Sequence, residues 1–161
     1  DEALGTFRVK DMRTYLSGAP HPANEIVGVV LQELALDFHK GVTAKTVVNE
    51  WFGGNTGTTE YQFEVKHKAK RLFIKISTGQ DGNEGHKWKE LCARLKLHRL
   101  ASNDAFDCWL VLDGEWDVDA VQRLYEAGYQ QIFGVDEMSA LTAALQQWKV
   151  GAQCSCSLSC K

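Results

Sequence analysis

Long apolar runs are missing from this 161-residue chain; none approaches the ~20 residues that a membrane-spanning helix needs. The opening DEALGTFRVK lacks the basic and then apolar stretches of a signal peptide, so the expected location is intracellular. P-loop, dinucleotide fingerprint, H-E-x-x-H helix and nucleophile elbow are all absent, which removes the common NTPase, oxidoreductase and protease classes. Pro20 and Pro22 are the only prolines, and with Gly18 they mark a loop in residues 1–22, an N-terminal extension without clear periodicity. No internal repeat or low-complexity segment interrupts residues 23–150, which read as one domain. Cysteine is sparse before the end of the chain: Cys92 and Cys108 lie in apolar segments and read as small buried hydrophobes. Cys154, Cys156 and Cys160 make a C-x-C-x3-C cluster without the paired fourth ligand of a structural zinc site. Residues 151–161 therefore read as a disordered Cys/Ser tail.

What the chain does have is ordinary in amount and unusual in placement. An apolar fraction of 44% and a charged fraction of 24% suit a soluble globular domain with a proper core. The net charge of -3 conceals a segregation. Ten of the 18 Lys and Arg residues, but only three of the 21 acids, fall between Lys66 and Arg99. That block carries +7 and the remainder -10. A basic face on an acidic protein suggests a polyanionic ligand, because phosphate contacts supply most non-specific nucleic-acid affinity. A lysine-rich hairpin edge that discourages aggregation explains such a run equally well.

Periodicity supplies the element order. Ile26, Val27, Val30, Leu31, Leu34 and Phe38 recur at helical spacing, predicting a helix from Ala23 to about His39, with Asn24 near its N-cap and Gly41 stopping it. The β-branched VTAKTVVNEWF that follows predicts a strand, and residues 53–57 a flexible loop. FDCWLVL, residues 106–112, is a continuous apolar run fit for a buried central strand ending in an Asp113-Gly114 turn. Turn chemistry then explains Asp113 and Glu115. Asp117 opens a helix that Gly128 closes, QQIFGV predicts another strand, and a final helix runs through Leu141, Leu145 and Trp148. The predicted order is α-β-β-β-α-β-α-β-α: an α/β fold with a central mixed sheet flanked by helices on both faces.

The chemistry gathers between Thr59 and Leu95. Tyr61, Phe63 and Val65 alternate with Glu60, Gln62 and Glu64; Leu72, Ile74 and Ile76 alternate with Arg71, Phe73 and Lys75. An antiparallel hairpin would align the apolar faces and set Lys75 on the face of Glu60 and Glu64. Two registers are open. Pairing Glu64 with Arg71 puts Glu60 opposite Lys75, whereas a shift of two residues puts Gln62 there and Glu64 opposite Phe73. A glycine-rich loop then leads to a helix from about His86 to Leu97, bearing Glu90.

This order, with its hairpin and basic helix, resembles the PD-(D/E)XK, or restriction-endonuclease-like, superfamily of nucleases over roughly residues 23–135. The resemblance implies an α-β-β-β-α-β core in which an acid on the second strand and an acid-x-lysine on the third hold a divalent metal against the scissile phosphate. Lys75 matches the lysine, and Glu60, or Glu64 as second choice, stands where the family usually has Asp. Phe73 departs from the pattern at the acid position, and Glu90 on the following helix is the analogue of a glutamate that some restriction enzymes supply instead. A frame shifted by two residues sets Lys75 in the acid position and Ser77 in the lysine position, the pattern of an inactive nuclease.

The resemblance thus implies a Mg²⁺- or Mn²⁺-dependent endonuclease of restriction type acting on double-stranded DNA, with homodimers common among such enzymes. Lys75, Glu60 and Glu90 would be catalytic, and Glu60, Glu64 and Glu90 would hold the metal, with the Ile74 carbonyl as a further ligand. Lys66, Lys68, Lys70, Arg71, Lys87, Lys89 and Arg94 would contact nucleic acid. The alternative is a nuclease-like domain that has lost its metal site and binds nucleic acid or protein, and the weakest reading is a basic hairpin docked on an acidic partner. His67 and His86 read as loop histidines, Trp88 as a packing residue, and Glu25 and Glu33 as exposed helix acids that face the site in some members of the superfamily.

Overall fold

A computed structural model of the chain describes residues 6–8, 22–47, 57–79 and 84–151. Its elements are β1 (Thr6–Arg8), α1 (Pro22–Glu33), β2 (Asp37–Lys45), β3 (Thr58–His67), β4 (Lys70–Gly79), α2 (Glu84–Ala101), β5 (Asp107–Asp117), α3 (Val118–Ala127), β6 (Gln131–Gly134) and α4 (Met138–Val150). From α1 onward this is the predicted order. β1, which the periodicity did not reveal, pairs antiparallel with the far end of β5.

The main sheet has five strands in the order β2-β3-β4-β5-β6. β2, β3 and β4 form an antiparallel meander; β5 then returns parallel to β4, and β6 parallel to β5. That return requires a crossover, and α2 supplies it. β5 is apolar on both faces because helices cover both, which is why its run reads as continuous. On one side Val27 and Leu31 of α1 and Leu141 and Leu145 of α4 bury against Val65, Leu72, Ile74, Trp109 and Val111. On the other, Leu91 and Leu95 of α2 and Leu124 of α3 bury against Phe73, Cys108, Leu110 and Leu112. Each fully buried leucine contributes about 2 kcal/mol relative to exposure, so the two layers hold the sheet from both faces. No helix among the described residues is long and apolar enough to cross a membrane.

Three boundaries differ from expectation. α1 ends at Glu33, about six residues before the predicted end near His39, and Phe38 belongs to β2. Ala35 takes a left-handed conformation (φ 57°), and the Ala35 and Leu36 N–H groups donate to the Gln32 and Leu31 carbonyls, a Schellman ending. Buried Leu31 and Leu36 supply its hydrophobic contact. Helical spacing alone could not separate Phe38 from the run, since that residue packs on the same core from a strand.

β5 runs on to Asp117, through the predicted Asp113-Gly114 turn. Gly114, at φ 100°, bends the strand without ending it. Asp113 is thereby buried, with the Trp116 indole N–H donating to its carbonyl at 3.0 Å. α3 begins after Asp117 as expected, though the Asp117 side chain makes no cap hydrogen bond; Gly128 closes the helix at φ 119°. Residues 53–56 of the predicted loop, Trp51 and residues 152–161 of the Cys/Ser tail lie outside the described residues, as does most of the N-terminal extension.

A cleft between the hairpin and the second helix

The hairpin adopts the second of the two registers. Phe63 pairs with Ile74, Glu64 with Phe73, Val65 with Leu72, Lys66 with Arg71 and His67 with Lys70. Regular pairing stops at Phe63 and Ile74. Beyond it the Ile76 N–H donates to the Gln62 side-chain oxygen at 2.6 Å, and Lys75 Nζ donates to the Glu60 backbone carbonyl at 2.8 Å. Lys75 therefore meets Glu60 through the main chain rather than lying opposite its carboxylate.

The expected single apolar face of β3 is corrected as well. Phe63 and Val65 pack with α1 and α4, whereas Tyr61 packs with α2, although all three are two residues apart. The reversal sits at Gln62, across from Gly41. Gly41 is at φ 59° and is skipped in the β2–β3 ladder between the Lys40–Phe63 and Val42–Tyr61 pairs. The positive φ interrupts the pleat of β2, and beyond this point the inward face changes on both strands, where Val42 and Ala44, like Tyr61, pack on the α2 side.

The splayed end of the hairpin opens a cleft of about 330 Å³ under α2, lined by Thr58, Thr59, Glu60, Lys75, Ser77, Lys87, Glu90, Leu91 and Arg94. Three of the predicted site residues, Lys75, Glu60 and Glu90, thus meet in one place. The helix contributes by spacing: Lys87, Glu90, Leu91 and Arg94 lie three or four apart and share one face, with Leu91 buried as the anchor. The structure keeps Glu64 out. It ion-pairs instead with Arg71 at 3.5 Å, diagonally across the hairpin.

Charge within the cleft runs against a metal. Glu90 Oε2 accepts from Arg94 Nε at 3.1 Å and Nη2 at 3.0 Å, while Arg94 Nη1 donates to the Thr58 carbonyl at 3.3 Å. Burial is the largest cause pushing the Lys75 ammonium below its ordinary value, Arg94 adds to it, and Glu60 and Glu90 partly offset both. Three cations stand against two acids. Among the described residues no three His, Cys, Asp or Glu side chains come together to hold a metal ion. A hard divalent ion takes six or more oxygen ligands, usually with carboxylates not already claimed by arginine. As arranged, this donor set does not fit Mg²⁺ or Mn²⁺.

The predicted nucleic-acid contacts divide. Lys87 and Arg94 line the cleft; Lys89 is exposed outside it, 5.7 Å from the Trp88 ring centroid. Lys66, Lys68, Lys70 and Arg71 lie at the hairpin turn, roughly 13–23 Å from Lys75 at ~3.3 Å per strand residue. Two of these already have partners: Lys70 donates to the Trp148 carbonyl and sits over its indole, and Arg71 holds Glu64. His67 lies at the same turn, half-buried beside Trp148, and Trp88 packs against the α2-side core as expected. Glu33 is exposed. Glu25 is exposed and lines a second cleft of about 760 Å³ between α1, β2 and β3, which shares Glu60 with the first.

Sequence reasoning missed His98. One turn beyond Arg94, it is buried, its Nδ1 hydrogen-bonds the Tyr61 hydroxyl at 2.8 Å, and its ring stacks on Phe106 at 4.1 Å. Burial, then Arg71 and Arg99, push its pKa down to about 4. This contact ties α2 to β3 beside the cleft. The signal for it is a histidine seven residues beyond Leu91 and three beyond Leu95, on the buried face of the helix.

No family model matches the chain, and no curated protein matches it. Among solved structures the chain is similar to AF1548, a protein of unknown function, at 12% identity over 69% of this chain with a TM-score of 0.49. It is also similar to the protein VC1899 from Vibrio cholerae, at 17% identity over 78% of this chain with a TM-score of 0.49. The chain spans 55% of the first protein and 32% of the second.

Proposed function

We propose that this protein binds the phosphodiester backbone of DNA in the cleft under α2, without a metal ion, on a restriction-endonuclease-like scaffold inside the cell. The observation that carries the reading is the occupancy of Glu90: its carboxylate faces Arg94 in a cleft where Lys75 and Lys87 also converge. Ammonium and guanidinium groups attract phosphate oxygens, and Thr58, Thr59 and Ser77 on the cleft wall add polar residues. The order α-β-β-β-α-β, with three antiparallel strands and a parallel return, supports the scaffold. Fluorescence anisotropy of labelled DNA in EDTA tests the reading: wild type binds, and Lys75→Met weakens binding while the fold, read by circular dichroism, is kept. Equal affinity of wild type and variant would overturn it.

A second reading has one observation in its favour, the meeting of Glu60, Lys75 and Glu90 in one cleft. It is a Mg²⁺- or Mn²⁺-dependent endonuclease cutting double-stranded DNA, as a monomer or homodimer. Plasmid nicking that needs divalent metal and vanishes in Lys75→Ala would establish it in place of the first.

A further inference from the structure

We propose that Glu90 is an internal counter-ion that the phosphate of a bound DNA strand displaces from Arg94, so that this carboxylate sets how tightly the cleft grips its ligand. The inference rests on the metal-free binding reading and adds a regulatory role within the same cleft. Along the inward face of α2 the charges alternate: Lys87, then Glu90, then Arg94. Glu90 lies between the two cations and spends its Oε2 on both Arg94 Nε and Nη2. The remaining guanidinium nitrogen, Nη1, is tied to the Thr58 carbonyl on β3, so Arg94 is fixed across the cleft from strand to helix. A guanidinium presented this way offers a phosphate two N–H donors, and those two are the ones Glu90 occupies. The pair is exposed enough to open, with side-chain exposure of 36% for Arg94 and 52% for Glu90. Arg94 keeps its place through Thr58 when the carboxylate leaves.

The exchange has a distinctive salt signature. When a phosphate takes Arg94 in the wild type, DNA loses a counter-ion, but the freed Glu90 carboxylate recruits a cation from solution. The two nearly cancel in the net ion release. With Glu90→Gln nothing recruits that cation, so one more ion is released per binding event. The slope of log affinity against log salt then steepens by roughly 0.7 for a single strand or 0.9 for a duplex. Affinity at low salt rises about threefold, the scale of an exposed ion pair. Loss of Arg94 works the other way: Arg94→Met weakens binding, and Glu90→Gln in that background has no further effect.

The experiment is a salt series of anisotropy titrations in EDTA, using a labelled 20-nucleotide single strand and the matching duplex, on wild type, Glu90→Gln, Arg94→Met, the double variant and Lys87→Met. Circular dichroism and thermal melts accompany each variant. Tighter binding and a steeper slope for Glu90→Gln, absent in the Arg94→Met background, support the counter-ion role. If Lys87→Met loses affinity while Glu90→Gln is unchanged in affinity and slope, the counter-ion role falls and the binding reading stands. If neither wild type nor any variant binds DNA, both fall. A Mg²⁺-dependent cleavage that Glu90→Gln abolishes also overturns the counter-ion role, since Glu90 would then be serving the metal.

Discussion

Tyr61 and His98 hold α2 to β3 by a hydrogen bond inside an aromatic cluster that includes Phe73 and Phe106, and the imidazole stays neutral there because burial and two nearby arginines disfavour its charge. Its pKa is about 4 in the fold against 6.5 ordinarily, so between those values the unfolded chain takes up a proton that the folded chain refuses. The stabilisation is complete above about pH 6.5 and is lost as pH falls toward 4, by up to ~3 kcal/mol. Urea unfolding of wild type and His98→Gln from pH 4 to 7 reads this directly: the gap between the two curves should narrow as pH falls. A constant gap would place the histidine in a solvated site. Ala35 makes a second case. It occupies the left-handed position of the Schellman ending, where a Cβ is strained, so Ala35→Gly should stabilise the protein by up to ~1 kcal/mol in thermal or urea melts. Neither residue stands out in the sequence. Alanine gives no hint of positive φ, and a histidine in a basic stretch reads as one more polar residue until the helix face is known.

The β2–β3 pair shows at the level of elements what alternation can and cannot foretell. Alternating residues predicted both strands of the hairpin correctly, and they predicted that Phe63, Val65, Leu72, Ile74 and Ile76 would be buried, as they are. Alternation assumes an unbroken pleat, however, and the pleat reverses at Gly41 and Gln62, so Tyr61 ends on the opposite face from Phe63. From sequence, the helical spacing of the preceding run makes Gly41 a helix stop. Its φ of 59° leaves open space where a Cβ would stand. Gly41→Ala should therefore cost about 1 kcal/mol from backbone strain alone, without a steric clash. A loss above ~3 kcal/mol in chemical denaturation would mean that the bend is held more tightly than the local geometry indicates. Glu90, which the resemblance places one helix after the lysine strand, lines the same cleft as Lys75, and Arg94 four residues on holds its carboxylate.

At the scale of the whole molecule, the α/β architecture was legible because its signals are long: a continuous apolar strand, a basic hairpin and two amphipathic helices in a fixed order. That Lys75, Glu60 and Glu90 share one cleft was legible, but that Glu64 stays outside it and that Arg94 holds Glu90 was not, since register and ion pairing decide which charges remain for a ligand. The strongly basic 66–99 block is not one surface. Folding spreads it over the hairpin turn, where Lys70 and Arg71 have protein partners, the cleft, where Lys75, Lys87 and Arg94 converge, and the rest of α2, where Arg99 holds the Phe106 and Gly128 carbonyls. If the cleft alone binds DNA, with the Arg94 contact offset by the cation that Glu90 takes up, Lys75 and Lys87 give a log–log salt slope of about -1.4 for single strands, well short of the value of about -4 that the seven predicted basic contacts would give with the same offset. Replacing Lys66 and Lys68 together should leave that slope unchanged.

The most direct test of metal-free binding in the cleft is one titration of labelled DNA in EDTA, comparing wild type with the Lys75→Met/Lys87→Met double variant at equal fold content. Wild type should bind, and the double variant should lose about tenfold in affinity. Identical curves for the two proteins, or binding by wild type only when Mg²⁺ is restored, would contradict it.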